Sequence, residues 1–178
     1  MITAIYNFDW YILDLIARLR CSFLDIVMPG ITVLGNAAVL WIILAAVLLI
    51  IPKTRKCGLA LSCTLILVLI TNNLLIKLLV ERPRPFVCNP DIMLIIKPPG
   101  GYSFPSGHTC AGIAAAVVIL HYYHKSGVAA LILAICIAFS RLYLQVHFPT
   151  DVIAGVILGI ICGIFGYSII DSKYKKTA

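Results

Sequence analysis

Long apolar runs, interrupted by short clusters of prolines, glycines and charges, dominate the chain. The stretch 26–52, "IVMPGITVLGNAAVLWIILAAVLLIIP", holds the first clear run, expected to start near Pro29 and to stop at Pro52. "GLALSCTLILVLITNNLLIKLLV", 58–80, is the second. The third is expected from about Ser106 to Tyr122, the fourth from about Val128 to Leu144 and the fifth from about Pro149 to Ile170. Spanning helices need about 20 apolar residues in succession, whereas the strands of a membrane barrel alternate over about 10. The pattern therefore predicts an all-α polytopic transmembrane bundle with five clear spans, organised as one domain over 1–178. Residues 5–20, "IYNFDWYILDLIARLR", mix aromatics, leucines and charges, and predict an amphipathic N-terminal helix that is interfacial or partly inserted.

Departures from the apolar pattern mark where chemistry belongs. Asn72, Asn73 and Lys77 are too polar to face lipid, so that end of the second run is expected against protein or a polar pocket. Residues 81–104 carry Pro83, Pro85, Pro90, Pro98, Pro99, Gly100 and Gly101, and form the one substantial loop. Gly155, Gly159 and Gly163 recur every fourth position and predict a smooth strip for close helix packing.

Composition agrees: among 178 residues, 62% are hydrophobic and 12% charged, with a mean hydropathy of +1.06, too apolar for a soluble core of this size. The net charge of +7 is not gathered into a basic stripe with interleaved aromatics, so lipid headgroups or a phosphate are expected as partners rather than nucleic acid. The seven cysteines lack metal-ligand spacing and read as small core hydrophobes. No cleavable signal peptide is expected, since Asp9, Asp14, Arg18 and Arg20 interrupt the first 20 residues.

Counting spans brings three polar places to one side of the membrane: the end of the second run with its loop, the start of the third, and the junction of the fourth and fifth. The other side receives Lys53, Arg55, Lys56, Lys125, Lys173, Lys175 and Lys176. Because Lys77, Arg84 and Arg141 have a chemical reason to lie on the convergent side, charge bias predicts a cell-membrane protein whose active face is extracytoplasmic.

At that side "FPSGHT" opens a helix, and the free amides of a first helical turn seat an anion, with Gly107 permitting close approach. In "SRLYLQVHFPTD", Pro149 suits a first helical position, which lets Asp151 reach back to His147. A carboxylate on one imidazole nitrogen fixes the tautomer and leaves the other basic, as suits a nucleophile or a base. The expected division of labour gives His147 the attack on phosphorus and His108 the protonation of the leaving oxygen. Lys77, Arg84, Ser106, Gly107 and Arg141 then surround the phosphoryl oxygens. Glu81, Arg82 and Lys97 are expected as loop or headgroup contacts, and His121 and His124 as interfacial residues.

Three stretches, "KLLVERPRP", "PSGH" and "SRLYLQVHFPTD", together resemble the signatures of the type 2 phosphatidic acid phosphatase family, in order and with full spacing over 77–151. The resemblance implies His147 as nucleophile, His108 as general acid, Asp151 as partner of His147, and Lys77, Arg84, Ser106, Gly107 and Arg141 as phosphate ligands. It implies no cofactor and no metal ion. Undecaprenyl diphosphate is the expected substrate, with phosphatidylglycerol phosphate and phosphatidic acid as alternatives, and a non-catalytic lipid phosphate binder or transporter as the reading from another class. Gln145 stands where many members carry glycine, and is expected to narrow the pocket or bond the substrate.

Overall fold

The structure, a computed structural model, describes residues 2–176, so Thr177 and Ala178 at the end of the basic tail lie outside the described residues. Nine α-helical segments follow one another among the described residues: α1 (Ile2–Ala17), α2 (Ser22–Leu34), α3 (Val39–Ile50), α4 (Arg55–Val68), α5 (Lys77–Val80), α6 (Pro85–Cys88), α7 (Gly107–Tyr122), α8 (His124–Tyr143) and α9 (Pro149–Lys176). The central element is α7, which packs most extensively on α9 and α8 and also meets α4. Its residues run small and apolar, with Cys110, Ala114 and Ala115 fully buried, so neighbouring helices approach it closely.

The glycine strip of α9 has a definite counterpart on α7. A Cβ added at Gly155 would lie 2.8 Å from the Ser106 carbonyl oxygen, and one at Gly159 would lie 2.7 Å from that of Cys110. Backbone thus packs on backbone, which only a residue without a side chain permits.

The span count differs from expectation. Three helices are long and apolar enough to cross a membrane, or four if α2 and α3 act as one bent span, against the five expected. The run centred on α7 has 16 helical residues, about 24 Å at 1.5 Å per residue, short of the roughly 30 Å of a bilayer core. Its apolar residues serve the interior of the bundle, which hydropathy alone does not distinguish from lipid contact.

The first expected span is also two helices. Pro29 lies inside α2, and the chain bends by 41° between α2 and α3 at Gly35 and the short 3₁₀ turn Asn36–Ala38. Ala37 and Ala38 both adopt positive φ there, 47° and 56°, a conformation that costs an alanine about 1–2 kcal/mol. Between α4 and α5 the helix widens into a π-helical segment, Leu69–Ile76, which turns Asn72 fully inward. π-helical turns of this kind concentrate at functional sites.

The N-terminal helix is more deeply engaged than an interfacial one. Its Leu13 and Asp9 are fully buried while Tyr6, Phe8 and Tyr11 remain exposed, and it packs on α8 and α9. At the opposite end of the bundle, Asp171 accepts from Lys56 at 2.7 Å, His121 at 2.8 Å and Tyr122 at 2.8 Å, with His121 stacked on Tyr167. This clamp ties α9 to α4 and α7.

Candidate active site

Five segments supply one pocket: the break between α2 and α3, the π-segment with α5, the loop after α5, the start of α7, and the α8–α9 junction. A cavity of about 700 Å3 is lined at one end by Lys77, Arg84, Gly107, His108, Arg141 and His147. At the other it is lined by apolar residues of α3 and α4, among them Ile42, Ala46, Leu49 and Ile66. A second cavity of about 350 Å3 shares His108 and Arg141 and extends toward Thr32, Asn36 and Lys97.

His147 sits in the turn between α8 and α9 and is 1% exposed. Arg84 Nη1 lies 3.2 Å from its Nε2. A guanidinium only donates, so Nε2 accepts and the ring proton resides on Nδ1. That nitrogen faces Asp151 Oδ2 at 3.5 Å and the Ser103 hydroxyl at 3.4 Å. Burial pushes the His147 imidazole down from the ordinary 6.5 to about 4, and Asp151 opposes that shift without reversing it. The imidazole is therefore neutral at physiological pH, with a lone pair on Nε2 as an attacking nitrogen requires.

Asp151, in the first turn of α9, is fully buried. Its Oδ2 accepts from the Phe148 amide at 2.8 Å and from the Ser103 hydroxyl at 2.5 Å, and its Oδ1 accepts from Arg82 at 2.7 Å. Arg84 is held by carbonyl oxygens, Gly101 at 2.9 Å, Val146 at 2.8 Å and Gly100 at 3.1 Å. Arg141 donates to the Thr32 hydroxyl, and its buried Nε has no hydrogen-bond partner among the described residues. An unpaired, buried guanidinium nitrogen is costly unless something arrives to accept from it.

His108 Nε2 lies 3.0 Å from Asn36 Oδ1, on the broken turn between α2 and α3. Gly35 makes room for that ring: a Cβ there would lie 2.7 Å from His108 Cδ2. Gly107 has Asn72 and Asn73 against its Cα, at 3.2 and 3.4 Å from where a Cβ would be. Lys77 and Asn73 face the same cavity.

Six of the eight expected site residues thus line the cavity, and Asp151, fully buried, stands behind His147. Ser106 is the exception. It is fully buried as N-cap of α7, its hydroxyl accepts from Thr109 at 3.0 Å, and it does not line the cavity. Gln145 lines neither cavity either. It adopts a φ of 53°, the left-handed backbone conformation that glycine takes most readily. Sequence reading passed over Asn36, Ser103 and Asp9 and put Arg82 among the headgroup contacts. Only the inward polarity of Asp9 in an otherwise apolar helix face gave any signal.

A helical membrane bundle with a cationic, two-histidine pocket at one end, opening onto an apolar groove, has the fold and site of a membrane lipid phosphatase-type hydrolase. Residues 57–175 match the model of the PAP2 superfamily, and the chain belongs to that family. It is 37% identical over 121 residues to an undecaprenyl-diphosphatase of Sulfolobus acidocaldarius, a match covering 67% of this chain and 58% of that protein. Against the undecaprenyl-diphosphatase BcrC of Bacillus subtilis it is 33% identical over 150 residues, covering 84% of this chain and 77% of that one. The solved PAP2-type phosphatidylglycerolphosphate phosphatase of Bacillus subtilis superimposes with a TM-score of 0.76 at 28% identity, covering 95% of this chain and 87% of that chain.

Proposed function

We propose that the protein hydrolyses a phosphate ester or diphosphate carried on a membrane lipid through a phosphohistidine at His147, without a metal ion, with undecaprenyl diphosphate as substrate. The observation that carries this reading is the continuity of one cavity from His147 and its cations into the apolar cleft between α3 and α4. From Ala38 to Leu49 that cleft follows α3 for about 16 Å, room for a lipid tail beside its reacting headgroup.

His147 Nε2 attacks the terminal phosphorus, forming a P–N bond as the P–O bond to the leaving group breaks. His108 supplies the proton to the departing oxygen. The positive charge that develops on the imidazole is met by Asp151 at Nδ1. Lys77, Arg84 and Arg141, with the amide end of α7 at Gly107, face the three equatorial oxygens, where charge redistributes in the transition state. Water then attacks phosphorus with His108 taking its proton, the P–N bond breaks, and inorganic phosphate leaves. With undecaprenyl diphosphate the products are undecaprenyl phosphate and phosphate.

The diphosphate reading draws on the two undecaprenyl-diphosphatases among the relatives. The phosphatidylglycerol phosphate reading draws on the fold match; phosphatidic acid is a third candidate, since the pocket recognises the phosphoryl group first. An extracytoplasmic active face is supported by the charge distribution. Of the seven Lys and Arg on the site's side, Lys77, Arg82, Arg84 and Arg141 are engaged in the site, leaving Arg18, Arg20 and Lys97 against seven on the other side.

The test is phosphate release by detergent-purified protein, in excess chelator, from undecaprenyl diphosphate, phosphatidylglycerol phosphate and phosphatidic acid, with His147→Ala as control. Release that is fastest from the diphosphate and absent in the variant is expected. A fastest rate on another lipid replaces the substrate, and binding without release by folded protein would favour a lipid phosphate carrier.

A further inference from the structure

Arg82, on the loop that follows α5, ties together residues far from it in sequence. Its Nη1 donates to Asp151 Oδ1 at 2.7 Å and to the Thr150 hydroxyl at 2.7 Å, and its Nη2 donates to Asp9 Oδ2 at 2.6 Å. The guanidinium lies 4.1 Å above the Phe148 ring, which Trp10 of α1 meets edge-on at 5.3 Å. Asp9 is itself fully buried on α1 and accepts from the Thr150 amide at 2.9 Å and the Thr150 hydroxyl at 2.6 Å. It thereby caps the first turn of α9 from another helix, the turn that carries Asp151. The ring closes through the backbone: the Arg82 carbonyl accepts from the Ser103 amide at 2.8 Å, and the Ser103 hydroxyl donates to Asp151.

The charges along this chain of contacts run Asp9 negative, Arg82 positive, Asp151 negative, and then His147. With a neutral imidazole the four groups carry a net charge of −1. When His147 binds phosphorus its ring becomes cationic, and the row becomes neutral. Asp151 Oδ2 is occupied by the Phe148 amide and the Ser103 hydroxyl and faces His147, while Oδ1 has Arg82. Arg84 and Lys77 also act on Asp151 electrostatically, from the cavity side. Arg82 is the cation that touches it. A buried carboxylate deprived of its paired cation takes up a proton or moves, and either change removes the acceptor that fixes the His147 tautomer.

We propose that Arg82, clamped by Asp9, is a positioning residue of the phosphatase reaction: it holds Asp151 ionised and in register with His147 Nδ1. The N-terminal helix is thereby a working part of the catalytic assembly. The inference rests on the reading of His147 as nucleophile.

The experiment compares wild type, His147→Ala, Arg82→Gln, Arg82→Lys and Asp9→Asn. It measures kcat, KM and the pH profile on undecaprenyl diphosphate and phosphatidic acid, together with thermal unfolding in detergent. Arg82→Gln is expected to lower kcat by about 10 to 100-fold, roughly 1.4 to 2.7 kcal/mol at the transition state, with KM little changed and the acid limb of the rate profile moved to higher pH. Arg82→Lys, which keeps the charge, should restore part of kcat and most of the acid limb. Asp9→Asn should lower kcat in the same direction by a smaller factor. Folded Arg82→Gln protein with wild-type kcat and pH profile, or a defect confined to unfolding temperature or KM, overturns the proposal. Should Arg82→Gln fail to fold, Arg82→Lys and Asp9→Asn decide it by the same criteria. Activity retained in His147→Ala removes the nucleophile reading and this proposal with it, whereas activity lost in His147→Ala beside wild-type behaviour of the Arg82 variants overturns this proposal alone.

Discussion

At the scale of single residues, the state of His147 is fixed by what surrounds its two nitrogens. Arg84 donates toward Nε2, Asp151 and Ser103 face Nδ1, and burial lowers the affinity of the ring for a second proton. The folded value, about 4, lies below the ordinary 6.5, so between these values the folded protein binds fewer protons than the unfolded chain. The contribution of His147 to stability is therefore complete above 6.5 and is lost as pH falls toward 4. In spectra of protein labelled with 15N-histidine, the His147 ring should keep its neutral Nδ1–H tautomer down to about pH 5. A midpoint near 6.5 would contradict this account of its surroundings.

The residues that gather at the cavity, or behind it in the case of Asp151, were readable because they stand at fixed spacings in short runs: Lys77 and Arg84, Gly107 and His108, Arg141, His147 and Asp151. Those that hold them were not. Asn36 reaches His108 across 72 positions and Asp9 reaches Arg82 across 73. No local pattern encodes such pairs, since each depends on how whole helices dock. Ser106 was legible at a helix start but not as a residue off the cavity lining, because the direction of its hydroxyl is set by neighbours such as Thr109.

At the scale of elements, the site depends on irregular helices held by a regular one. The π-segment Leu69–Ile76 sends Asn72 inward, and the break at Asn36–Ala38 carries the partner of His108. Against these, α9 supplies a flat glycine face on which the start of α7 rests. Gly155→Ala would drive a methyl to 2.8 Å from the Ser106 carbonyl and 3.1 Å from Thr109 Cβ. Overpacking of this kind costs about 1–3 kcal/mol, and misplacement of a catalytic group by an ångström costs up to about 100-fold in rate. The variant is expected to unfold at lower temperature and to lose at least 10-fold in kcat, roughly 1.4 kcal/mol at the transition state. Gly30→Ala, where nothing lies within 4 Å, should match wild type. Equal activity and stability of the two variants would mean that α7 does not rest on α9 as described.

The glycine strip, the loop at 81–104 and the order of apolar runs were legible, since small-residue spacing and proline clusters are local signals. The bend between α2 and α3 was not placed, although Gly35 and Asn36 are helix-stopping residues, because apolar residues on both sides continue the run. The extent of α7 was legible, but its reading as a full span was not borne out by its 16 residues, because helices surrounded by protein and helices surrounded by lipid share one composition.

At the scale of the whole molecule, the arrangement joins two environments in one cavity. Cations and histidines gather at one end of the bundle, and an apolar cleft leads from them between α3 and α4. The far end is closed by the Asp171 clamp, which ties α9 to α4 and α7. In the proposed function, a membrane lipid presents its phosphate to His147 while its tail stays among these apolar side chains. The central claim is that phosphorus passes through His147. The most direct measurement is acid-free quenching of the protein during turnover of undecaprenyl diphosphate labelled in its terminal phosphate, followed by peptide mapping. The account predicts acid-labile, base-stable label on the peptide that contains His147, absent from His147→Ala. Turnover by wild type with no label on that peptide, or label that persists in the variant, would contradict it.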